Sequence, residues 1–330
     1  ALPISDLGVR WVVQTAYGDS GKTTFFIASE EDYNKVADQI ESEHAVKVMK
    51  WIRCTGTAIE ACATRWGTFV GPLMTEVIGA PELTPYTGGW CGNELYEAAF
   101  TPEVRAEVVR MTQAMGRALY QRGYRGYFEL DYLIDLDSDQ VYLGELNARI
   151  TGISAMTNLS DFAAQTVPLF LFHLLEYDES IALDLDVAAF NQQVLALGAK
   201  GIASQIILKQ TESMLQVVIR APVSGVYSID SQGDLHLKSA GYNRRDALAP
   251  SEAFVLRIMA VGEYAYKGGD LAIMFVNTAI RSGSGQLNSE GLRWTRALKS
   301  CFGTRSLTQE ERSAVEQIHN PAHMKSERTA

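Results

Sequence analysis

Between Gly126 and Ile150, apolar and polar positions alternate through two runs rich in aromatic and β-branched residues. The runs are separated by the polar cluster Asp137-Ser138-Asp139. Such a pattern predicts a β-hairpin. With the turn centred near Ser138, Asp131 falls opposite Glu145, and Glu129 opposite Asn147. Side chains two apart on a strand share a face. One face therefore carries Glu129, Asp131, Glu145, Asn147 and Arg149, and continues towards the turn through Leu133, Val141 and Leu143. An edge hairpin with one solvated face also accommodates alternating acids. Carboxylates directly opposed across a strand pair repel one another, however. A cation between them relieves the repulsion, and Mg²⁺ takes oxygen ligands of this kind.

The same periodicities organise the rest of the chain. Strands are expected at Val9–Thr15, Phe25–Ile27, Val46–Ile52 and Gly56–Thr64, with an amphipathic helix from the capping Ser29 to Ile40. Val70–Asn93, punctuated by proline and glycine, reads as a long loop. A second helix is capped by Thr101, opens on Pro102 and ends at Gly123; Val104, Val108, Met111, Met115 and Leu119 form its apolar stripe. Thr151–Thr157 reads as a loop, and His173 as a packed residue on an apolar helix. Beyond about residue 181 short strands dominate, at Ile202–Leu208, Leu215–Ile219, Gly225–Ile229, Leu235–Leu237, Phe254–Met259 and Asp270–Val276. Helices near Leu292–Leu298 and Thr308–Ile318 close this part, and Asn320–Ala330 reads as a disordered tail.

Composition narrows the functional classes. A net charge of −10 argues against a nucleic-acid backbone as partner, and the longest apolar run, around Val167–Leu175, is too short for a membrane span. The 4 cysteines form no C-x-x-C pair, so they read as reduced thiols in a cytoplasmic protein rather than a zinc site. A length of 330 residues suits two domains.

Between the first two strands lies Ala16-Tyr-Gly-Asp-Ser-Gly-Lys-Thr-Thr24. Backbone amides around Gly18, Ser20 and Gly21, with Lys22 and the Thr23 hydroxyl, suit phosphate oxygens, although Gly-Asp-Ser-Gly is also an ordinary hairpin turn. Gly18 to Lys22 is too short for a Walker A loop. Taken with Asp131 on the strand before it, Glu145-Leu-Asn147-Ala-Arg149 resembles the E-x-N-x-R signature of the ATP-grasp superfamily.

That resemblance, over about residues 9–180, implies an α+β ATP-grasp fold of antiparallel sheets with helices. It implies an ATP-binding and metal-binding domain at 1–180, followed by a small β-rich C-terminal domain at 181–330. It implies Asp131 (with Glu129 as rival), Glu145 and Asn147 as ligands of Mg²⁺ or Mn²⁺, and Arg149 as the arginine beside the reacting phosphate. Gly18, Ser20, Gly21, Lys22 and Thr23 then match the flexible loop over the phosphates. Lys50, Trp51 and Ile52 match the hinge that reads adenine, and Glu60 an acid facing ribose or substrate. Ser154 and Thr157 would meet a substrate carboxylate. Gln14 stands where relatives usually carry a phosphate-contacting lysine. The implied activity is an ATP-dependent ligase joining a small-molecule carboxylate to an amine through an acyl-phosphate, with a homo-oligomer allowed. A biotin-carboxylase-like enzyme and a nucleotide-binding module without turnover are the alternatives. Relatives place an α/β domain before the loop, so roughly 100 further N-terminal residues are expected.

Overall fold

The computed structural model describes residues 10–16, 23–96, 99–160, 163, 166–182, 184–198, 202–242, 248–283 and 285–319. Residues 17–22, which include Gly18, Ser20, Gly21 and Lys22, lie outside them, as does the tail from Asn320.

A small antiparallel unit comes first. β1 (Trp11–Thr15) lies between β2 (Thr24–Ile27) and β3 (Val46–Lys50), and α1 (Glu30–Asn34) and α2 (Ala37–Glu41) connect β2 to β3. Ser29 caps α1 by accepting the Asp32 amide at 3.2 Å, but the single helix expected to Ile40 is interrupted at Lys35-Val36, where Val36 leaves helical geometry at φ −128°. Val13, Ile27 and Ile40 form this unit's core. Alternation then turns Val12 and Gln14 to the opposite face.

Among the described residues the elements that follow are β4 (Cys54–Thr64), β5 (Gly67–Val70), β6 (Met74–Ile78), β7 (Trp90–Tyr96), α3 (Pro102–Gln121), β8 (Gly126–Asp135), β9 (Val141–Asn147), α4 (Ser154–Leu159), α5 (Leu169–Glu176), α6 (Val187–Gly198) and β10 (Ile202–Lys209). They continue with β11 (Gln216–Arg220), β12 (Gly225–Ile229), β13 (Leu235–Ala240), β14 (Glu252–Arg257), β15 (Tyr264–Ala265), β16 (Asp270–Val276), α7 (Ser289–Ser300), β17 (Gly303–Ser306) and α8 (Gln309–His319). One 11-stranded antiparallel sheet runs β13-β12-β14-β16-β10-β7-β6-β4-β8-β9, with β5 beside β4. β11, β15 and β17 make a separate small sheet. Strands from both sides of residue 180 thus share one sheet, joined where β7 pairs with β10.

Beyond the break in that first helix, four features differ from the sequence reading. Val70–Asn93 is not a continuous loop: it holds β6, whose Met-Thr-Glu-Val-Ile run alternates as a strand, and the start of β7. Thr151–Thr157 is loop only as far as Ile153, because α4 begins at Ser154. The helix α6 was not foreseen; its Asn191 side chain satisfies Val70 N–H and Thr68 C=O at the edge of β5. The fourth concerns the hairpin. Asp131 does oppose Glu145, and Glu129 does oppose Asn147, but the register shifts at Gly144, so Leu133 pairs with Tyr142 and Tyr132 with Leu143. A bulge of this kind inverts the alternation beyond it. Leu143 and Val141 therefore leave the acidic face.

Each face of the sheet has its own cover. Val104 and Val108 of α3 pack on Ile59, Ala61, Leu130, Tyr132 and Ile134, with Met111, Met115 and Leu119 partly buried beside them, as the predicted stripe requires; Val109, outside that stripe, joins the same core. On the other face α4 contributes Met156 to a core with Ala58, Met74, Leu95, Phe254 and Phe275. His173 of α5 is packed as expected, between Phe170 and Tyr177, and accepts the Tyr127 amide at 3.3 Å.

Candidate functional site

The face that α4 covers only partly carries the acids. Cross-strand register puts Glu129 and Asp131 beside Glu60 and Ala58 of β4, and Glu145 and Asn147 beside them on β9. A Cβ on Gly56 would lie 2.8 Å from Glu76 Oε2, so the Glu76 carboxyl of β6 leans across Gly56 towards the same group. A cleft of about 940 Å³ opens above these residues, lined on this side by Glu76, Trp90, Glu129, Asp131, Glu145, Asn147, Arg149, Thr151 and Gly152. Its opposite wall is the small sheet, through Gln14, Thr15, Thr23, Thr24, Val46 and Lys47.

Electrostatics in the cleft are strained in one direction. Burial first, then the neighbouring carboxylates, pushes Glu129 and Asp131 above the ordinary carboxylate range. Burial and the Asp131 charge do the same to Glu76, against the pull of Arg281. Such crowding marks a place that demands positive charge. Asn147 Nδ2 donates to Asp131 Oδ2 at 3.2 Å, and Arg149 Nη2 donates to Asn147 Oδ1 at 3.1 Å. The guanidinium is thereby held at the exposed rim. Among the described residues no three His, Cys, Asp or Glu side chains are gathered closely enough to hold a metal by themselves. Mg²⁺ needs no such cage, since it is usually bound by one or two carboxylates and completed by phosphate oxygens and water. The opposed Asp131 and Glu145, with the Asn147 amide oxygen, suit that kind of site.

Glu60 lies deeper and is fully buried. Ser154 Oγ donates to its Oε1, Thr157 Oγ1 donates to Oε2 at 2.5 Å, and Thr151 Oγ1 approaches Oε1 at 3.4 Å. Burial still raises its carboxyl to about 7 despite these donors. Glu60 thus clasps the start of α4 and the segment that follows Arg149. The hydroxyls of Ser154 and Thr157, expected to meet a substrate, turn inward to this carboxylate.

Of the residues singled out in the sequence, the cleft unites Gln14, Thr23, Asp131, Glu145, Asn147 and Arg149. Glu60, Ser154 and Thr157 support it from below. Lys50, Trp51 and Ile52 lie at the end of β3, off the cleft lining, with Trp51 packed between Phe26 (ring centroids 5.4 Å apart) and the Arg10 guanidinium. Glu76 and Lys47 were missed. Their only sequence signal is alternation within a strand, and for Glu76 the proline- and glycine-rich surroundings of that strand mask it.

The order of the large sheet, the acidic hairpin at its edge and the small sheet facing that hairpin decide the fold. It is the ATP-grasp fold. The biotin carboxylase–βγ-ATP complex of Campylobacter jejuni superposes with a TM-score of 0.58 at 11% identity, over 97% of this chain and 64% of that one. The 2-oxoglutarate carboxylase biotin carboxylase domain of Hydrogenobacter thermophilus, in complex with MgADP, ADP and bicarbonate, gives 0.53 at 11% identity, over 92% of this chain and 59% of that one. Carboxyaminoimidazole ribonucleotide synthase of Aspergillus clavatus complexed with ATP gives 0.50 at 10% identity, over 90% and 64%. The chain with the ATP-grasp fold therefore spans less than two thirds of these relatives, and at such identities the likeness is one of fold. No protein-family model matches the sequence, and no curated protein does. No helix among the described residues is long and apolar enough to cross a membrane.

Proposed function

We propose that the protein is an ATP-dependent ligase that joins a carboxylate to an amine through an acyl-phosphate, releasing ADP and phosphate. The observation that carries this reading is the juxtaposition, on one wall of the cleft, of opposed Asp131 and Glu145 with Asn147 and Arg149, facing the small sheet. ATP would lie between the two walls, its phosphates towards the acids. Asp131, Glu145 and Asn147 would hold Mg²⁺ or Mn²⁺, which neutralises triphosphate charge when bound. Arg149, tethered by Asn147, stabilises charge developing on the transferred phosphoryl group. Glu60 holds the segment after Arg149 in place. The carboxylate oxygen attacks the γ-phosphorus, the bond to ADP breaks, and the amine nitrogen then displaces phosphate from the acyl carbon. No side-chain nucleophile is required.

The test uses ¹⁸O-labelled carboxylates from a screen of amino acids and short peptides that release ADP. Label must pass into the released inorganic phosphate. Label in AMP, or unlabelled phosphate with amide formed, refutes the acyl-phosphate route. Binding of MgATP with no carboxylate-dependent ADP release in the full-length protein would instead favour a nucleotide-binding module. Bicarbonate-dependent release that requires biotin would favour the biotin-carboxylase-like reading.

A further inference from the structure

On the small sheet, Gln14 pairs with Thr24 of β2 and with Lys47 of β3, so the three side chains form one row across the sheet. All three line the cleft. The next row on the same face is Phe26–Val12–Met49, which is apolar, with Trp51 against Phe26. Along β1 the order is therefore an apolar row, a polar row, and the start of the connection at Ala16. A nucleotide laid on this face would put its base on the apolar row and its phosphates on the polar one.

The charges in the cleft are unevenly divided. The large sheet presents Glu76, Glu129, Asp131 and Glu145, whereas Lys47 and Arg149 are the cations among the described lining residues. Arg149 is engaged by Asn147 on the acidic wall. Lys47 is exposed and has no ion pair or hydrogen bond among the described residues. Its neighbour Gln14 can donate hydrogen bonds but brings no charge.

We infer that Lys47, on the edge strand of the small sheet, is the cationic anchor for the phosphate chain of a nucleotide, supplying from β3 the charge that Gln14 does not supply from β1. The inference rests on the nucleotide reading of the cleft and names the residue that makes the small sheet an anion subsite. An ammonium at this place makes charge-assisted bonds to phosphate oxygens, while base and ribose contacts do not depend on it. Because residues 14 and 47 are cross-strand partners, a lysine at either position brings its ammonium to the same part of the cleft.

Calorimetric titration of MgADP and of adenosine into the whole chain tests this. Lys47→Met should weaken MgADP binding about ten- to a hundredfold and leave adenosine binding unchanged. Lys47→Arg should keep most of the affinity, and Gln14→Lys in the Lys47→Met background should restore it. Circular dichroism checks that each variant folds, which the exposure of Lys47 favours. Wild-type protein that binds no MgADP overturns the nucleotide reading itself. Wild-type binding with an indifferent Lys47→Met, an equal loss for adenosine, or no rescue by Gln14→Lys overturns the Lys47 inference alone.

Discussion

Removing the Thr157 hydroxyl should destabilise the protein more at high pH than at low pH, because the hydroxyl serves a buried carboxylate. Glu60 has an ordinary carboxyl value of 4.5, raised to about 7 in the fold by burial. Between those values the folded chain holds a proton that the unfolded chain has released. The folded state binds more protons there, so stability falls as pH rises through the window and is level outside it. A separation of this size corresponds to about 3 kcal/mol lost between pH 4.5 and 7. Thr157 Oγ1 donates to Glu60 Oε2 at 2.5 Å and opposes the rise. Thr157→Val keeps the shape and removes the donor. Above pH 7 it deletes a hydrogen bond to a charged group, costing about 2–3 kcal/mol, whereas near pH 5 the acid is neutral and the cost is about 1 kcal/mol. Urea unfolding of wild type and variant at pH 5, 7 and 9 measures both. Other raised acids in the cleft slope the wild-type curve the same way, so the difference between the two proteins is the informative quantity. In a Glu60→Gln background the pH dependence of the Thr157→Val cost should vanish. An equal cost at pH 5 and pH 9 in the wild-type background refutes the reasoning.

Arg149→Ala should lower kcat about 10²-fold or more with a modest change in ATP affinity, since it removes charge stabilisation made mainly in the transition state; steady-state kinetics with the full-length protein decide it, and an unchanged kcat removes Arg149 from the chemistry. Asp131→Asn and Glu145→Gln should each abolish turnover while the circular dichroism spectrum stays native, and chelating Mg²⁺ should reproduce the loss in the wild type; full activity of the Glu145 variant contradicts the metal assignment. Glu129→Gln should be milder than Asp131→Asn, because it is Asp131 that faces Glu145. Gly126→Ala should cost more than about 2 kcal/mol in thermal unfolding, given its φ of +95° and a Cβ placed 2.2 Å from His173 Nδ1; a change within 0.5 kcal/mol would show that His173 yields freely.

The acidic end of the hairpin was legible because everything it needs is local. Two alternating runs and a short turn set the pairing of Asp131 with Glu145, and no distant strand alters it. The helix Pro102–Gln121 was legible for the same reason, with cap, first-position proline, apolar stripe and terminal glycine all present within one stretch. Glu76 was hidden because its position depends on β6 pairing with both β4 and β7, and on Gly56 leaving room for its carboxyl. The inward turn of Ser154 and Thr157 was hidden too, since it requires Glu60, more than 90 residues earlier, beneath α4. The shared sheet across residue 180 was equally non-local: β7 and β10 are neighbours in space although more than 100 residues separate them in the chain.

Gly144 shows how one residue reconciles two demands that a regular strand would set in conflict. In unbroken alternation Val141, Leu143, Glu145 and Asn147 all share a face, and the face that receives the acids would also receive the apolar pair. Yet Ile134 and Tyr132, towards the turn, belong to the core beneath α3, and Val141 packs against that core. The register shift at Gly144 lets β9 serve both. On the turn side Val141 pairs with Ile134 and Leu143 with Tyr132; on the other side Glu145 and Asn147 stay with Asp131 and Glu129 in the cleft. A side chain at the shift is poorly accommodated, since a Cβ on Gly144 would stand 3.2 Å from the Asp131 carbonyl oxygen. The bulge thus anchors the hairpin through its apolar half and presents the acidic half to the cleft, so the opposed carboxylates are held by packing that does not depend on their own unfavourable interaction.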